Sequence, residues 1–372
     1  MRYYIIAGER SGDLHGSNLV KAIKKLDAKA IFRGFGGEYL QNAGVELFVH
    51  YAKFAVMGFA EILLSIIKIS RYIRKCRNDI LAYKPDVVIL IDYAGFNQQI
   101  ARFCKKKNIK VFYYITPKVW AWNQSRAHQL KANVDRMFVV LPFEKDFYKK
   151  FNLDVDYVGN PVLDAVKAHQ PDKNFLSKTN LKSTTPIIAL LPGSRKQELL
   201  RIIPVMREVI TKFPELQFAV ATVNNLKKNL YSPLSEFNNV RLVEEDTYNL
   251  LLNAHAAIVT SGTATLETAL FKVPQIVVYK TTRLSYAFVK MVIKVRFISL
   301  VNLIADREII KELIQDDANL ENISNELNAI ITDGSYRNKI LKDYDTIFEL
   351  LDTGSASENA ARLMVNYLHT PP

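Results

Sequence analysis

Short, uninterrupted runs of apolar and β-branched residues recur along this chain, and each gives way to a loop and then to a helical pattern. In the first half they are Tyr3 to Ala7, Val87 to Ile91, Val111 to Ile115, Met137 to Leu141 and Tyr157 to Val158. In the second half they are Ile187 to Leu191, Phe218 to Ala221, Ala257 to Thr260 and Gln275 to Tyr279. Strands apolar on both faces belong to parallel sheets covered by helices on either side. The pattern predicts an α/β protein of two Rossmann-like, doubly wound domains facing across a cleft. Ligands in such sheets bind beyond the C-terminal ends of the strands, so the loops that follow strands are the ones to inspect. The segment from His169 to Pro186 is polar, carries Pro171 and Pro186 and reads as the linker. That divides the chain into domains 1–168 and 169–345, with a C-terminal helix at about 346–372 expected to pack back on the first.

At 372 residues the chain is too long for one ordinary core. Its formal charge of +13 calls for a negative partner: nucleic acid, anionic lipid or a phosphorylated substrate. No helix-turn-helix, zinc-finger or RNP-type pattern accompanies the basic residues, so no nucleic-acid partner is expected. Cys76 and Cys104 form no CxxC, and Met1 to Ala7 runs straight into a strand without a secretory leader, which suggests a reduced, cytoplasmic protein. Lys or Arg interrupts every apolar run before the ~20 residues needed to span a bilayer.

Several loops after strands carry polar groups. Gly8-Glu9-Arg10-Ser11-Gly12-Asp13 lacks the spacing of a dinucleotide fingerprint; it reads either as a tight turn needing glycine or as a substrate loop using Glu9 and Ser11. Gly34-Phe35-Gly36-Gly37 has the same two readings. Asp92 ends a central strand beside Gly95, where a general base belongs; the alternative is a helix cap, for which Asn97, ahead of a helix starting near Gln98, is better placed. Thr116-Pro117-Lys118-Val119-Trp120-Ala121-Trp122 holds both tryptophans, either as local packing or as an aromatic wall. Gly193, Ser194 and Arg195 offer N–H groups and a cation to a diphosphate, or else form an ordinary capped helix start with a surface arginine. Ser261, Gly262 and Thr263 open another helix, whose backbone N–H groups suit a diphosphate, and Glu267 one turn deeper can accept ribose hydroxyls.

Asp154/Asp156 and Asp343/Asp345 have a D-x-D spacing but sit away from strand-end glycine loops, and the six histidines form no H-x-x-x-H pair, so no metal is expected. Walker A and G-x-S-x-G patterns are missing. From Phe59 to Arg77 a helical wheel places Phe59, Ile62, Leu63, Ile66, Ile67, Ile69 and Ile73 on one face and Lys68, Arg71 and Lys75 opposite. Such a helix either faces a core or lies on anionic lipid, and Lys290 to Phe297 is a second basic and apolar stretch.

Taken together, these loops resemble the lipid-A-disaccharide synthases of Gram-negative bacteria, a glycosyltransferase family (family 19) of the two-domain GT-B type. The resemblance runs nearly end to end. It rests on Ala7-Gly8-Glu9 with Ser11-Gly12-Asp13, Ala55-Val56-Met57-Gly58, Ile91-Asp92 with Phe96-Asn97, Pro117 with Val119-Trp120-Ala121-Trp122, and Leu141-Pro142-Phe143-Glu144. It continues with Leu191-Pro192-Gly193-Ser194-Arg195, Ser261-Gly262-Thr263-Ala264 with Glu267, and Ser299-Leu300 with Asn302-Leu303. The chain departs from the family at Ala94 and Val301, where prolines are usual, and at Thr116, where serine is usual.

The resemblance implies inverting transfer of 2,3-diacylglucosamine from its UDP form to the 6-hydroxyl of 2,3-diacylglucosamine 1-phosphate, giving a β-1,6-linked lipid A precursor and UDP. It implies Asp92 as base with Glu9 assisting, Arg195 and Asn302 at the diphosphate, and Glu267 at the ribose. It implies no metal or other cofactor. Substrates with two acyl chains imply peripheral attachment to the cytoplasmic face of the inner membrane, with Phe59, Ile62, Leu63 and Ile66 as contacts. The alternative on the same fold is a UDP-N-acetylglucosamine 2-epimerase-like isomerase, which has no reason for basic, apolar surfaces.

Overall fold

The computed structural model describes residues 1–53, 62–292 and 294–369. The chain divides into two compact units, one of Met1–Pro161 with Asp352 onward, the other of Val162–Leu351. The division lies ahead of the polar 169–186 stretch because the helix Pro161–Ala168 goes with the second unit, where Lys167 lies 5.4 Å over the Phe348 ring. At the far end the helix Gly334–Leu351 also stays with the second unit, so the return to the first begins at Asp352 and not near 346.

Among the described residues the first unit holds seven parallel strands: β1 (Arg2–Ala7), β2 (Ile31–Gly36), β3 (Val45–His50), β4 (Val87–Ile91), β5 (Lys110–Tyr114), β6 (Arg136–Val139) and β7 (Asp156–Tyr157). Their order is β3-β2-β1-β4-β5-β6-β7. The chain winds one way from β1 and the other way from β4, which makes the β1/β4 boundary the topological switch point. All five residues of β4 are buried, as its apolar run requires. The helix Arg10–Leu26 covers one face, and beside it the helix Ala356–His369 buries Ala360, Ala361, Met364 and Val365 in the same core. That last helix is tied at both ends, by Lys25 to Glu358 at 2.8 Å and by Tyr367, whose hydroxyl donates to the Asp156 carboxylate at 3.2 Å.

The second unit repeats the plan with six parallel strands among the described residues: β8 (Ile187–Leu191), β9 (Gln217–Thr222), β10 (Val240–Glu244), β11 (Ala256–Thr260), β12 (Gln275–Tyr279) and β13 (Glu312–Ile314). The order is β10-β9-β8-β11-β12-β13, so its switch point lies between β8 and β11.

Four strands were not anticipated. β2 and β3 have their apolar runs broken by charged, histidine or glycine positions, β10 is an edge strand with exposed Leu242 and Glu244, and β13 is only three residues long. Gly34, Gly36 and the turn after them therefore belong to a strand end and not to a free glycine loop. The reason is Asp13, fully buried on the helix Arg10–Leu26. Its carboxylate accepts from the N–H groups of Gly37 at 2.6 Å, Tyr39 at 3.0 Å and Leu40 at 3.3 Å, and so closes the open start of the helix Glu38–Asn42. A side chain at Gly37 would put its Cβ 2.7 Å from that carboxylate.

Removing Asp13 leaves buried N–H donors without an acceptor. Asp13→Ala is expected to lower stability by about 3 kcal/mol, and Asp13→Asn by less because its amide oxygen still accepts. Urea unfolding of the three proteins reads this; an Ala variant as stable as wild type would disprove the capping role.

Candidate active site

Register brings the catalytic candidates of the first unit level. Ala7 pairs with Ile91 across β1 and β4, and Ile91 with Tyr114 across β4 and β5, so Glu9, Asp92 and the 116–122 loop leave the sheet at one edge, beside the switch point. Asp92 and Tyr93 both take left-handed backbone conformations, φ +43° and +46°, at about 1 kcal/mol or more each. Strain of this kind is held by its surroundings. The Asp92 carbonyl accepts from the Tyr113 hydroxyl at 2.6 Å and from Asn97 Nδ2 at 2.8 Å, while the Tyr93 ring lies on Gly8, where any Cβ would come within 2.2 Å of it.

The helix begins at Ala94, not near Gln98, and Asn97 is no cap. Its amide reaches back to the carbonyls of Ile91 and Asp92. Neither residue caps the helix with its side chain, so the Asp92 carboxyl is left for other work. It is half-buried, and burial pushes its pKa up; the Lys118 ammonium, a hydrogen bond with the Glu9 carboxyl and the Tyr93 N–H pull it back. Carboxyls this close titrate together, not independently. Glu9 and Ser11 are exposed at the start of the helix Arg10–Leu26.

The tryptophans part company. Trp120 is buried, edge-on to Phe143 at 4.9 Å, and its Nε1 donates to Glu144 Oε1 at 3.1 Å. Trp122 is 43% exposed, with Arg126 stacked 4.5 Å from its ring. Glu144 is the hub: it also accepts from the N–H groups of Val140 and Leu141 at 3.1 and 2.9 Å, joining the loops after β5 and β6. Burial pushes its pKa up to about 7 against the pull of these donors. Lys118 and Glu144 were not singled out from the sequence. Lys118 had only its place behind a strand to mark it, and Glu144 only its place in the Leu141–Glu144 motif.

In the second unit the two loops beside the switch point differ. After β8, Glu198 Oε2 accepts from the N–H groups of Ser194 at 3.1 Å and Arg195 at 3.2 Å, and Oε1 accepts from Arg195 Nη1 at 3.0 Å. Gly193, at φ +106°, lets the carboxylate in: a Cβ there would lie 2.4 Å from Oε2. The seat read as a diphosphate cradle is thus filled by a capping glutamate, while the Arg195 side chain remains 78% exposed. After β11, by contrast, no side chain of the described residues caps the helix Thr263–Leu270, and Gly262 and Thr263 are exposed. Ser261 is turned inward, its hydroxyl donating to the Ile298 carbonyl at 2.9 Å. Glu267 follows on that helix; burial raises its pKa, and its Oε1 accepts from the Tyr248 hydroxyl at 2.8 Å.

Asn302 requires a correction. It is fully buried, its Nδ2 donates to Ile310 O at 2.8 Å and Glu312 Oε1 at 2.9 Å, and its Oδ1 accepts from the N–H groups of Ile309 and Ile310. With every hydrogen-bonding position used it builds the turn before β13 and holds no diphosphate. Three of the D-x-D aspartates have partners as well: Asp343 binds Arg307, Asp345 binds Lys272 and Asp156 binds Tyr367.

Phe59 lies outside the described residues, and of Ile62, Leu63 and Ile66 only the helical backbone is described, within Ile62–Tyr83. The stripe divides further along: Ile73, Cys76 and Ile80 are buried, whereas Ile67 is 66% exposed. No helix among the described residues is long and apolar enough to cross a membrane.

A sequence model described as lipid-A-disaccharide synthetase matches residues 3–366. A lipid-A-disaccharide synthase of Syntrophus aciditrophicus is 41% identical over 96% of this chain and 95% of its own length. One of Geobacter sulfurreducens is 36% identical over 99% and 97%. Among solved structures, a UDP-GlcNAc 2-epimerase from Neisseria meningitidis superposes with a TM-score of 0.68 at 15% identity, over 99% of both chains. The calicheamicin glycosyltransferase CalG4 does so with 0.64 at 13%, over 100% of this chain and 99% of its own. At such identities these two share the fold alone.

Glu144 gives the first unit an optical reporter. In Trp122→Phe, Trp120 emission is expected to titrate with a midpoint near pH 7 as Glu144 ionises, and the transition should vanish when Glu144→Ala is added. Its folded pKa lies above the ordinary glutamate value, so the stability this group contributes is present at low pH and lost as pH rises from that ordinary range through about 7. A flat emission profile between pH 5 and 8.5 would show that Glu144 does not titrate there.

Proposed function

Since the chain belongs to the lipid-A-disaccharide synthase family, a family of glycosyltransferases, we propose that it moves 2,3-diacylglucosamine from its UDP form to the 6-hydroxyl of 2,3-diacylglucosamine 1-phosphate. The products are a β-1,6-linked disaccharide and UDP. The observation that carries the reading is the hydrogen-bonded Glu9 and Asp92 pair at the β1/β4 switch point, within Lys118's field. In this reading the ionised carboxyl, Asp92, takes the proton of the acceptor hydroxyl. The freed oxygen forms its bond to the sugar C1 as the C1–O bond to UDP breaks, in one inverting displacement. Glu9 shares the pair's proton and so keeps a single negative charge between the two groups.

The second unit receives the donor. The uncapped start of Thr263–Leu270 meets the diphosphate, Glu267 accepts from the ribose hydroxyls, and Arg195 adds a cation from its exposed side chain. The helix start and Arg195 take the charge of the leaving UDP, and the scheme uses no metal. An epimerase reading has only the fold likeness behind it, while the family match supports transfer.

Incubation with UDP-2,3-diacylglucosamine and the acylated sugar phosphate, followed by UDP release, tests the scheme. Product is expected from wild type with or without chelator, and at least about a hundredfold less from Asp92→Asn. Because burial raises the Asp92 pKa and the base must be ionised, kcat/KM should fall on the acid side with a midpoint above the ordinary aspartate range. UDP release without acceptor, a metal requirement, or an active Asp92→Asn would each overturn it.

Doubly acylated substrates would call for peripheral attachment to the cytoplasmic face of the inner membrane, in keeping with a charge of +13 and the apolar residues Phe59, Ile62, Leu63 and Ile66. Replacing Ile62, Leu63 and Ile66 with Ser is expected to release the protein from vesicles rich in anionic lipid while leaving its melting temperature unchanged. Equal sedimentation of variant and wild type with the vesicles would refute this.

A further inference from the structure

Glu267 does not stand alone at its site. The helix Thr247–Asn253 follows β10, and its second residue, Tyr248, donates its hydroxyl to Glu267 Oε1 at 2.8 Å. The tyrosine ring is held on two sides, edge-on to His169 at 5.4 Å and 5.0 Å from Phe271. His169 is itself fixed by Asn249, whose Oδ1 lies 3.3 Å from its Nε2 and also accepts from the Asp172 N–H at 2.8 Å. The phenol therefore approaches Glu267 from one direction with little freedom of its own. Among the described residues no donor reaches Glu267 Oε2.

A carboxylate turns easily about its terminal bond, and a diol can be received well only if that rotation is stopped. We propose that Tyr248 is a positioning residue of the nucleoside site: its hydroxyl fixes the rotation of the Glu267 carboxylate, leaving Oε2 directed at the ribose diol of the donor. The proposal rests on the ribose role given to Glu267 above. The phenol also favours the ionised carboxyl, which accepts two hydroxyl donors where a protonated one accepts poorly. Nineteen residues separate the pair, and nothing local in the sequence joins them.

The test is calorimetric titration of wild type, Tyr248→Phe, Glu267→Gln and the double variant with UDP and with 2′,3′-dideoxy-UDP. Phenylalanine keeps the ring between His169 and Phe271 and removes only the donor. UDP affinity of Tyr248→Phe is expected to drop about tenfold, with dideoxy-UDP affinity unchanged. Tyr248→Phe added to Glu267→Gln should weaken UDP binding no further. In turnover, the donor KM should rise with kcat unchanged. An equal loss for both nucleotides would show a merely structural tyrosine, and no loss for either would show an idle hydrogen bond; both overturn the proposal. A wild type that binds the two nucleotides alike, or a Glu267→Gln that keeps the wild-type preference, would remove the ribose role itself.

Discussion

Parallel register at two switch points is the constraint on which the rest depends. In a doubly wound sheet the helices leave neighbouring strands for opposite faces only where the winding direction reverses, and that boundary alone has an uncovered crevice at its C-terminal edge. In the first unit it lies between β1 and β4, and in the second between β8 and β11. Level pairing of Ala7 with Ile91, and of Leu191 with Val259, then decides which loops share each crevice. Glu9 and Asp92 meet at the first. Gly193 to Arg195 and Ser261 to Glu267 border the second.

The two loops of the second unit show how similar sequences acquire different duties. Both are glycine turns at the start of a helix, and both offer backbone N–H groups to an anion. Glu198 lies three residues beyond Arg195, the reach of a capping box, and supplies that anion from within. Glu267 lies five beyond Gly262, past that reach, and is turned aside to Tyr248. The first N–H groups of the helix Thr263–Leu270 thus carry no side-chain cap among the described residues, while the arginine of the other loop is drawn to Glu198 and still 78% exposed.

The same distinction explains what could be read in the chain. Strands buried on both faces, such as β4 and β11, announced themselves as apolar runs, whereas the exposed side of β10 and the glycines of β2 hid theirs. Asp92 stands out in the sequence because a carboxylate just past an apolar strand has few local uses, and Glu267 because it follows a glycine turn on the helix after β11. Tyr248, Glu144 and Lys118 do not, since each acts on a residue brought near only by tertiary folding. Asn302, read in the sequence as a ligand residue, has its side chain committed to the turn it builds with Ile309, Ile310 and Glu312.

Ala94 shows how a departure from the family pattern can change a loop. Proline there would drive residue 93 toward extended conformations, because its ring crowds the preceding residue. Alanine lifts that restriction, and Tyr93 takes φ +46° directly after Asp92 at +43°. As the first residue of the helix Ala94–Lys106, position 94 would tolerate either side chain, so the helix itself is unaffected. What the left-handed pair accomplishes is local: it lays the Tyr93 ring on Gly8 and brings the Tyr93 N–H to the Asp92 carboxyl. Glycine at position 8 is thereby required by the aromatic ring above it, and the strain at Asp92 is borne by Tyr113 of β5 and Asn97 of the following helix. The carboxyl is thus held by its neighbours where a proline would otherwise stiffen the turn.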